Sequence, residues 1–182
     1  MASPFLYFPG ERLSYAELSA ARLEGMLVEL GEGYIPADAV ETAALRAASL
    51  APLLRRDAAA THGTAAWIHG VLPVAPGRHT IQRVADQRTR QRIDRRYVYR
   101  DPRLPPEDVQ IMGGVAVTTP GRTVADLARL PPPDGDEALA AFSREDPAAV
   151  AEALRWLARA GRVPQKRVAL ARLAAAGTVR TT

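Results

Sequence analysis

Apolar positions along the 182-residue chain recur at two different periods, and the places where the period changes mark its elements. From Leu13 to Leu30 the spacing of Leu18, Ala21, Met26 and Leu30 predicts a helix. Ser14 and Glu17 supply its capping box, and Gly25 weakens its middle. Gly31-Glu32-Gly33 then forces a tight turn into a short extended piece. A second helix is expected from Thr42 to Leu54, with Ala44, Leu45, Ala48 and Leu53 on its apolar side, and a third, short one over residues 62–69. The period then falls to two, and strands are expected at His79–Ala85, Arg96–Tyr99, Val109–Met112 and Gly114–Thr118. Met112-Gly113-Gly114-Val115 reads as a hairpin, because glycine accepts the positive φ that such turns need. Helical spacing returns after Leu130-Pro131-Pro132-Pro133. Asp136 to Phe142 starts a tail whose helices run over Pro147–Ala160 and Gln165–Ala176.

This order of elements predicts an α+β fold, with a mixed, mostly antiparallel sheet, packed helices and a C-terminal helix pair. Three units are expected: a small N-terminal segment over residues 1–41, an α/β core over 42–133, and a helical tail over 134–182 packing on that core. The sharpest local signal is the passage from Val115-Ala116-Val117-Thr118 into Thr119-Pro120-Gly121-Arg122-Thr123. Pro120 suits the first position of a helix, where its missing N–H costs nothing. Thr119 is placed to cap that helix, and Val124, Leu127 and Ala128 give it an apolar face. Arg122 and Asp126, four residues apart, can meet on the helix surface.

The Thr-Pro-x-Arg-Thr junction resembles the core of the AbiEi-type family, antitoxin-like transcriptional regulators of type IV toxin–antitoxin systems. A second similarity lies upstream in Thr61-His62-Gly63-Thr64-Ala65-Ala66-Trp67-Ile68-His69-Gly70, since the family shows a similar His-x-Thr-Ala-Ala helix ending in Gly. Together the two cover roughly residues 45–130. The resemblance implies a cytoplasmic, non-enzymatic regulator that binds double-stranded DNA near its own operon. Its implied genetic partner is a nucleotidyltransferase-type toxin, whose effect the antitoxin counteracts without needing to bind it. The family's N-terminal position carries a winged helix-turn-helix, whereas residues 1–41 have room for one helix and a wing-like turn. A complete module needs about three helices. His62, Thr64, Trp67, Thr119, Pro120, Arg122 and Asp126 carry the resemblance and are read as structural motif residues.

Charge changes the picture more by where it lies than by its sum of +4. Residues 1–41 carry net −5, residues 78–103 carry nine arginines against three aspartates, and residues 144–182 carry net +5. Any polyanion should therefore meet the middle or the end of the chain. Arg88, Arg90 and Arg92 recur at every second residue, so in an extended ribbon they would project from one face and track a phosphate backbone. Arg83, Arg95, Arg96 and Arg100 flank them and complete the candidate nucleic-acid-binding set, and Tyr97 and Tyr99 are placed to stack on bases or to pack the sheet. The tail offers Arg155, Arg159, Arg162, Lys166 and Arg167 around one turn. Their candidate partners are nucleic acid, an acidic protein, or the acidic N-terminus of this chain or of a second copy, which would make a homodimer.

No cofactor, metal or catalytic group is expected. The chain has no cysteine, hence no disulfide or thiolate metal site. His62 and His69 share a side of their helix but have no third ligand nearby. No phosphate loop, nucleophile elbow or membrane-length apolar run occurs, and the N-terminus lacks the marks of a signal peptide. Larger relatives can carry a restriction-type nuclease domain, which needs an acidic pair beside a lysine. The single lysine, Lys166, has no such pair before it. The alternative to a DNA-binding regulator is a protein-interaction module that kept the core and lost DNA binding.

Overall fold

The computed structural model describes residues 4–54, 57–87 and 94–178. Helix α1 (Tyr15–Leu23) starts at the expected capping box: Glu17 N–H donates to Ser14 Oγ at 3.3 Å and Ser14 N–H to Glu17 Oε2 at 2.7 Å. It stops before Leu30, because Gly25 takes φ +76° and turns the chain out of the helix. Leu27–Leu30 therefore forms strand β1, paired antiparallel with β2 (Gly33–Pro36) in register Leu27↔Pro36. Leu18, Leu27 and Tyr34 close a small apolar cluster between helix and hairpin.

Helix α2 (Ala43–Ser49), capped by the Thr42 hydroxyl, is shorter than its apolar spacing suggests. Beyond it lies a strand the period reading missed, β3 (Ala58–Ala60), followed by α3 (His62–Ile68). Three alanines favour helix by propensity. They make a strand here because β3 is the middle of the five-stranded sheet, where each is buried and small side chains fit. Strands β4 (His79–Arg83), β5 (Tyr97–Arg100), β6 (Val109–Met112) and β7 (Val115–Thr118) complete the sheet in the order β5-β4-β3-β7-β6. β3 pairs antiparallel with β4 and parallel with β7, β4 parallel with β5, and β6 antiparallel with β7. With the β1–β2 hairpin, three of the five ladders are antiparallel, so the fold is α+β on a mixed sheet. The β6–β7 hairpin turns on Gly113 (φ +54°) and Gly114 (φ +85°), as its sequence predicts.

After β7 the chain enters α4 (Pro120–Ala128), then α5 (Asp136–Glu145), α6 (Pro147–Arg159) and α7 (Lys166–Thr178). The tail is thus three helices rather than a pair, because Asp136–Glu145 winds into a helix of its own. Every residue of α4 from Gly121 to Ala128 is buried, with α3, α5, α6 and α7 packed around it. Val124 and Leu127 of α4 share one core with Phe142, Leu157 and Leu173 from the three later helices. Each such side chain stabilises the fold by about 1.5–3 kcal/mol relative to exposure. A second core, built on Leu50, Trp67, Ile68, Ile81 and Val117, joins the sheet to α2 and α3.

Candidate functional site

The Thr-Pro-x-Arg-Thr junction sets the geometry of the site. Thr119 Oγ1 accepts from the Arg122 N–H at 3.3 Å, and the Thr123 hydroxyl donates to the Thr119 carbonyl at 2.9 Å. This capped start turns Arg122 inward, leaving its side chain 7% exposed. Arg122 Nε donates to both oxygens of Asp126 at 3.0 Å, and its Nη1 pairs with Asp108 of the 3-10 turn Pro106–Asp108. Asp126 also receives Arg129, while Asp108 receives the Trp156 indole N–H at 3.0 Å. The guanidiniums of Arg122 and Arg129 lie 4.6 and 5.5 Å from the centre of the Trp156 ring. Two cations, two carboxylates and one indole thus tie α4 to the turn before β6 and to α6. The local Arg122–Asp126 spacing pointed to part of this network. Asp108 and Trp156 come from distant parts of the chain, and no local pattern marks them.

One side of the network forms the floor of a cleft of about 400 Å³. Arg100 and Arg103, at the end of β5 and just beyond it, make one wall, and Val163, Pro164 and Gln165 of the α6–α7 turn make the other. The two basic stretches of the sequence, 78–103 and 144–182, therefore meet here. Arg122 and Arg129 face the cleft beside His62. His62 holds φ +52°, an uncommon backbone state for a residue other than glycine. Its Nδ1 lies 2.9 Å from Thr61 Oγ1. Burial pushes its pKa down to about 4, although Asp126 pulls the other way, so the ring is neutral at pH 7. Arg129 Nε is buried with no hydrogen-bond partner among the described residues.

The arginines singled out by the sequence have different fates. Arg88, Arg90 and Arg92 lie outside the described residues. Strands β4 and β5, on either side of that segment, pair in parallel. Arg83 is mostly buried and donates to the carbonyls of Ala85, Asp86 and Asp101 at 2.8–2.9 Å, clamping the backbone. Arg96 is held by Asp94 at 2.7 Å and by Glu32 at 2.6 Å. Its hydrogen bonds hold the Asp94 pKa down at about 2. The Glu32 contact is where the acidic N-terminal segment meets the basic middle of the same chain. Arg95 and Arg100 are exposed, while Tyr97 and Tyr99 pack against the core of the sheet. In the tail, Arg159, Arg162 and Arg167 are exposed, and Lys166 caps the Ala160 carbonyl at 2.6 Å.

The upstream motif is also accounted for. Thr64 Oγ1 accepts from the Thr80 N–H at 2.8 Å, tying α3 to β4. Trp67 fills the sheet core at 2% exposure, with the Arg46 guanidinium 5.6 Å from its ring centre. His69 Nε2, just after α3, donates to the Thr118 carbonyl at 2.8 Å, so His62 and His69 have separate partners. Among the described residues no group of three or more metal-ligating side chains occurs.

The family model for the AbiEi antitoxin C-terminal domain matches residues 58–161, more than half of the chain. The chain belongs to the AbiEi antitoxin family. The AbiEi match opens at β3 and ends in the α6–α7 turn, so it takes in the whole five-stranded sheet. It also includes all five members of the buried network and most of the cleft wall. The α1–β1–β2 segment and α7 lie outside the AbiEi match. No sequence match is found among curated proteins. No helix among the described residues is long and apolar enough to cross a membrane.

Proposed function

We propose that this AbiEi-family chain is the antitoxin of a type IV toxin–antitoxin pair. On this reading it is a cytoplasmic, non-enzymatic transcriptional regulator that contacts double-stranded DNA through its basic face. The observation that carries the reading is the convergence of two basic stretches on one side of the family core. Arg100 and Arg103 line the same cleft as Val163, Pro164 and Gln165 of the α6–α7 turn, and Arg159, Arg162 and Arg167, close to that turn in sequence, are exposed, as is Arg95. Arg88, Arg90 and Arg92 belong to the same basic stretch and extend the proposed contact. Guanidiniums so placed suit phosphate oxygens, which position a protein on a duplex without reading bases. Arg83 and Arg96 contribute to the shape of this face, since their hydrogen bonds are spent inside the protein.

The N-terminal 41 residues act on this reading as a reduced winged-helix-like segment, with residues 42–133 as the core and 134–182 as its packed tail. Helix α1 and the β1–β2 hairpin supply a helix and a wing, and the net charge of −5 over residues 1–41 opposes contact with phosphates. A second reading, a protein-interaction module, is favoured by that same segment. It exposes Phe5, Leu23, Met26, Val28 and Val40 beside its acidic groups.

Establishing whether the neighbouring gene encodes a nucleotidyltransferase-type toxin, and co-expressing the chain with that toxin, tests the antitoxin role. Growth restored by the chain, and lost when the chain is omitted, is the expected result. Toxicity unchanged by the chain would overturn it.

A further inference from the structure

The composition of the cleft beside Trp156 carries an inference that goes beyond the DNA reading without depending on it. Its floor is richer in donors than in acceptors. Arg122, Arg129 and the Trp156 indole bring about eleven donor hydrogens to two carboxylates with about eight lone-pair sites. One donor, Arg129 Nε, is buried with no acceptor among the described residues. Buried donors are nearly always paired in folded proteins, so such a surplus is uncommon in a merely structural network. The charges of Arg122 and Arg129 are matched by Asp108 and Asp126, and that of Arg103 by Asp86 at 2.8 Å. Arg100 on the wall is exposed and has no ion-pair partner among the described residues. His62, neutral and with its Nδ1 turned to Thr61, adds a polar edge without a charge.

The rest of the wall is mostly apolar, with Pro102, Pro105, Leu130, Val163 and Pro164 beside the two amides of Gln82 and Gln165. A cleft of about 400 Å³ with a cationic end and an apolar flank fits a compact ligand that has an oxyanion head and a larger, less polar body. We propose that this cleft binds a small phosphate ester of mononucleotide size, its phosphate held by Arg100 and the arginine floor and its body lying along the prolines and Val163. Phosphate is chosen because planar guanidiniums arriving from several elements can each take a different oxygen. Arg100 comes from the end of β5, Arg122 and Arg129 from α4 and its C-terminal end.

The test is calorimetric titration of the whole chain with adenosine and cytidine 5′-monophosphates, the two unphosphorylated nucleosides, inorganic phosphate and succinate, without DNA present. The expected result is nucleotide binding at least tenfold tighter than nucleoside or succinate, with inorganic phosphate weaker than the nucleotide. Arg100→Ala and Gln165→Glu, both at exposed positions, should each weaken nucleotide binding about tenfold while leaving the melting curve in place. Succinate binding as tightly as the nucleotides would overturn the phosphate assignment. Equal binding of nucleoside and nucleotide, no heat at millimolar ligand, or unchanged affinity in both variants would overturn the site.

Discussion

Asp126→Asn isolates the charge at the centre of the buried network while preserving its shape. Asp126 is fully buried and accepts from Arg122 through both oxygens and from Arg129 through one. The wild-type network balances two guanidiniums with two carboxylates. Asparagine leaves one positive charge unmatched and turns an NH₂ group toward a guanidinium donor. Removing one partner of a buried pair costs about 3–5 kcal/mol. The retained amide oxygen still accepts, and Asp108 still holds Arg122, so the lower end, about 3 kcal/mol, is expected. For a chain of this length each kcal/mol moves the melting temperature by about 2–4 °C, giving a fall of about 6–12 °C. Thermal and urea unfolding followed by circular dichroism would read it. Arg122→Met alone should cost a similar amount. The double variant should cost less than the sum, because the net charge of the network is balanced again, with Arg129 and Asp108 as the remaining cation and anion. An Asp126→Asn variant within about 1 kcal/mol of wild type would refute the reasoning, as the pair would then behave like an exposed one.

Other outcomes follow from the same geometry. Gly113→Ala should destabilise by about 3 kcal/mol, since Gly113 takes φ +54° and a Cβ there would overlap the Ala44 carbonyl. Gly25→Ala, at φ +76° in open space, should cost only about 1–2 kcal/mol, and urea midpoints of the two variants would compare them. Stability should also fall in mild acid. The His62 pKa, ordinarily 6.5, is about 4 in the fold, so the unfolded chain takes the proton first. Its contribution is complete above pH 6.5 and is lost as the pH falls to about 4, by up to about 3 kcal/mol; His69 and His79, also lowered by burial, act in the same direction. His62→Asn, which tolerates the left-handed backbone, should flatten a chevron or urea series taken across that range. An unchanged pH slope in the variant would show that His62 is not the group responsible.

Much of the local architecture was legible because it rests on local chemistry. The Thr119 cap, Pro120 at the first helical position, the Gly113-Gly114 hairpin and the Ser14–Glu17 box each act within a few residues, and each appears in the fold. What escaped the sequence depends on distant partners. Ala58–Ala60 has the propensity of a helix and becomes a central strand through neighbours contributed by β4 and β7. Gly25 reads as a weak point in a helix, but its positive φ ends that helix and frees β1. At the site, charge density flagged the arginines without revealing their partners. Arg83 spends its donors on nearby carbonyls, and Arg96 on Asp94 and Glu32. Asp108 and Trp156, which hold Arg122 in place, stand far from it in sequence and were invisible to any spacing argument.

The central claim is that this AbiEi-family core presents a DNA-binding basic face. Its most direct test is fluorescence anisotropy of the full chain with duplex DNA from its own upstream region, repeated between 50 and about 200 mM salt, since phosphate contacts release counterions. The expected result is specific binding whose logarithmic affinity falls linearly with the logarithm of salt, with a shallower slope after Arg88, Arg90 and Arg92 are replaced together by Ala. Binding that is absent, or that is indifferent to salt and to the triple replacement, would contradict the account.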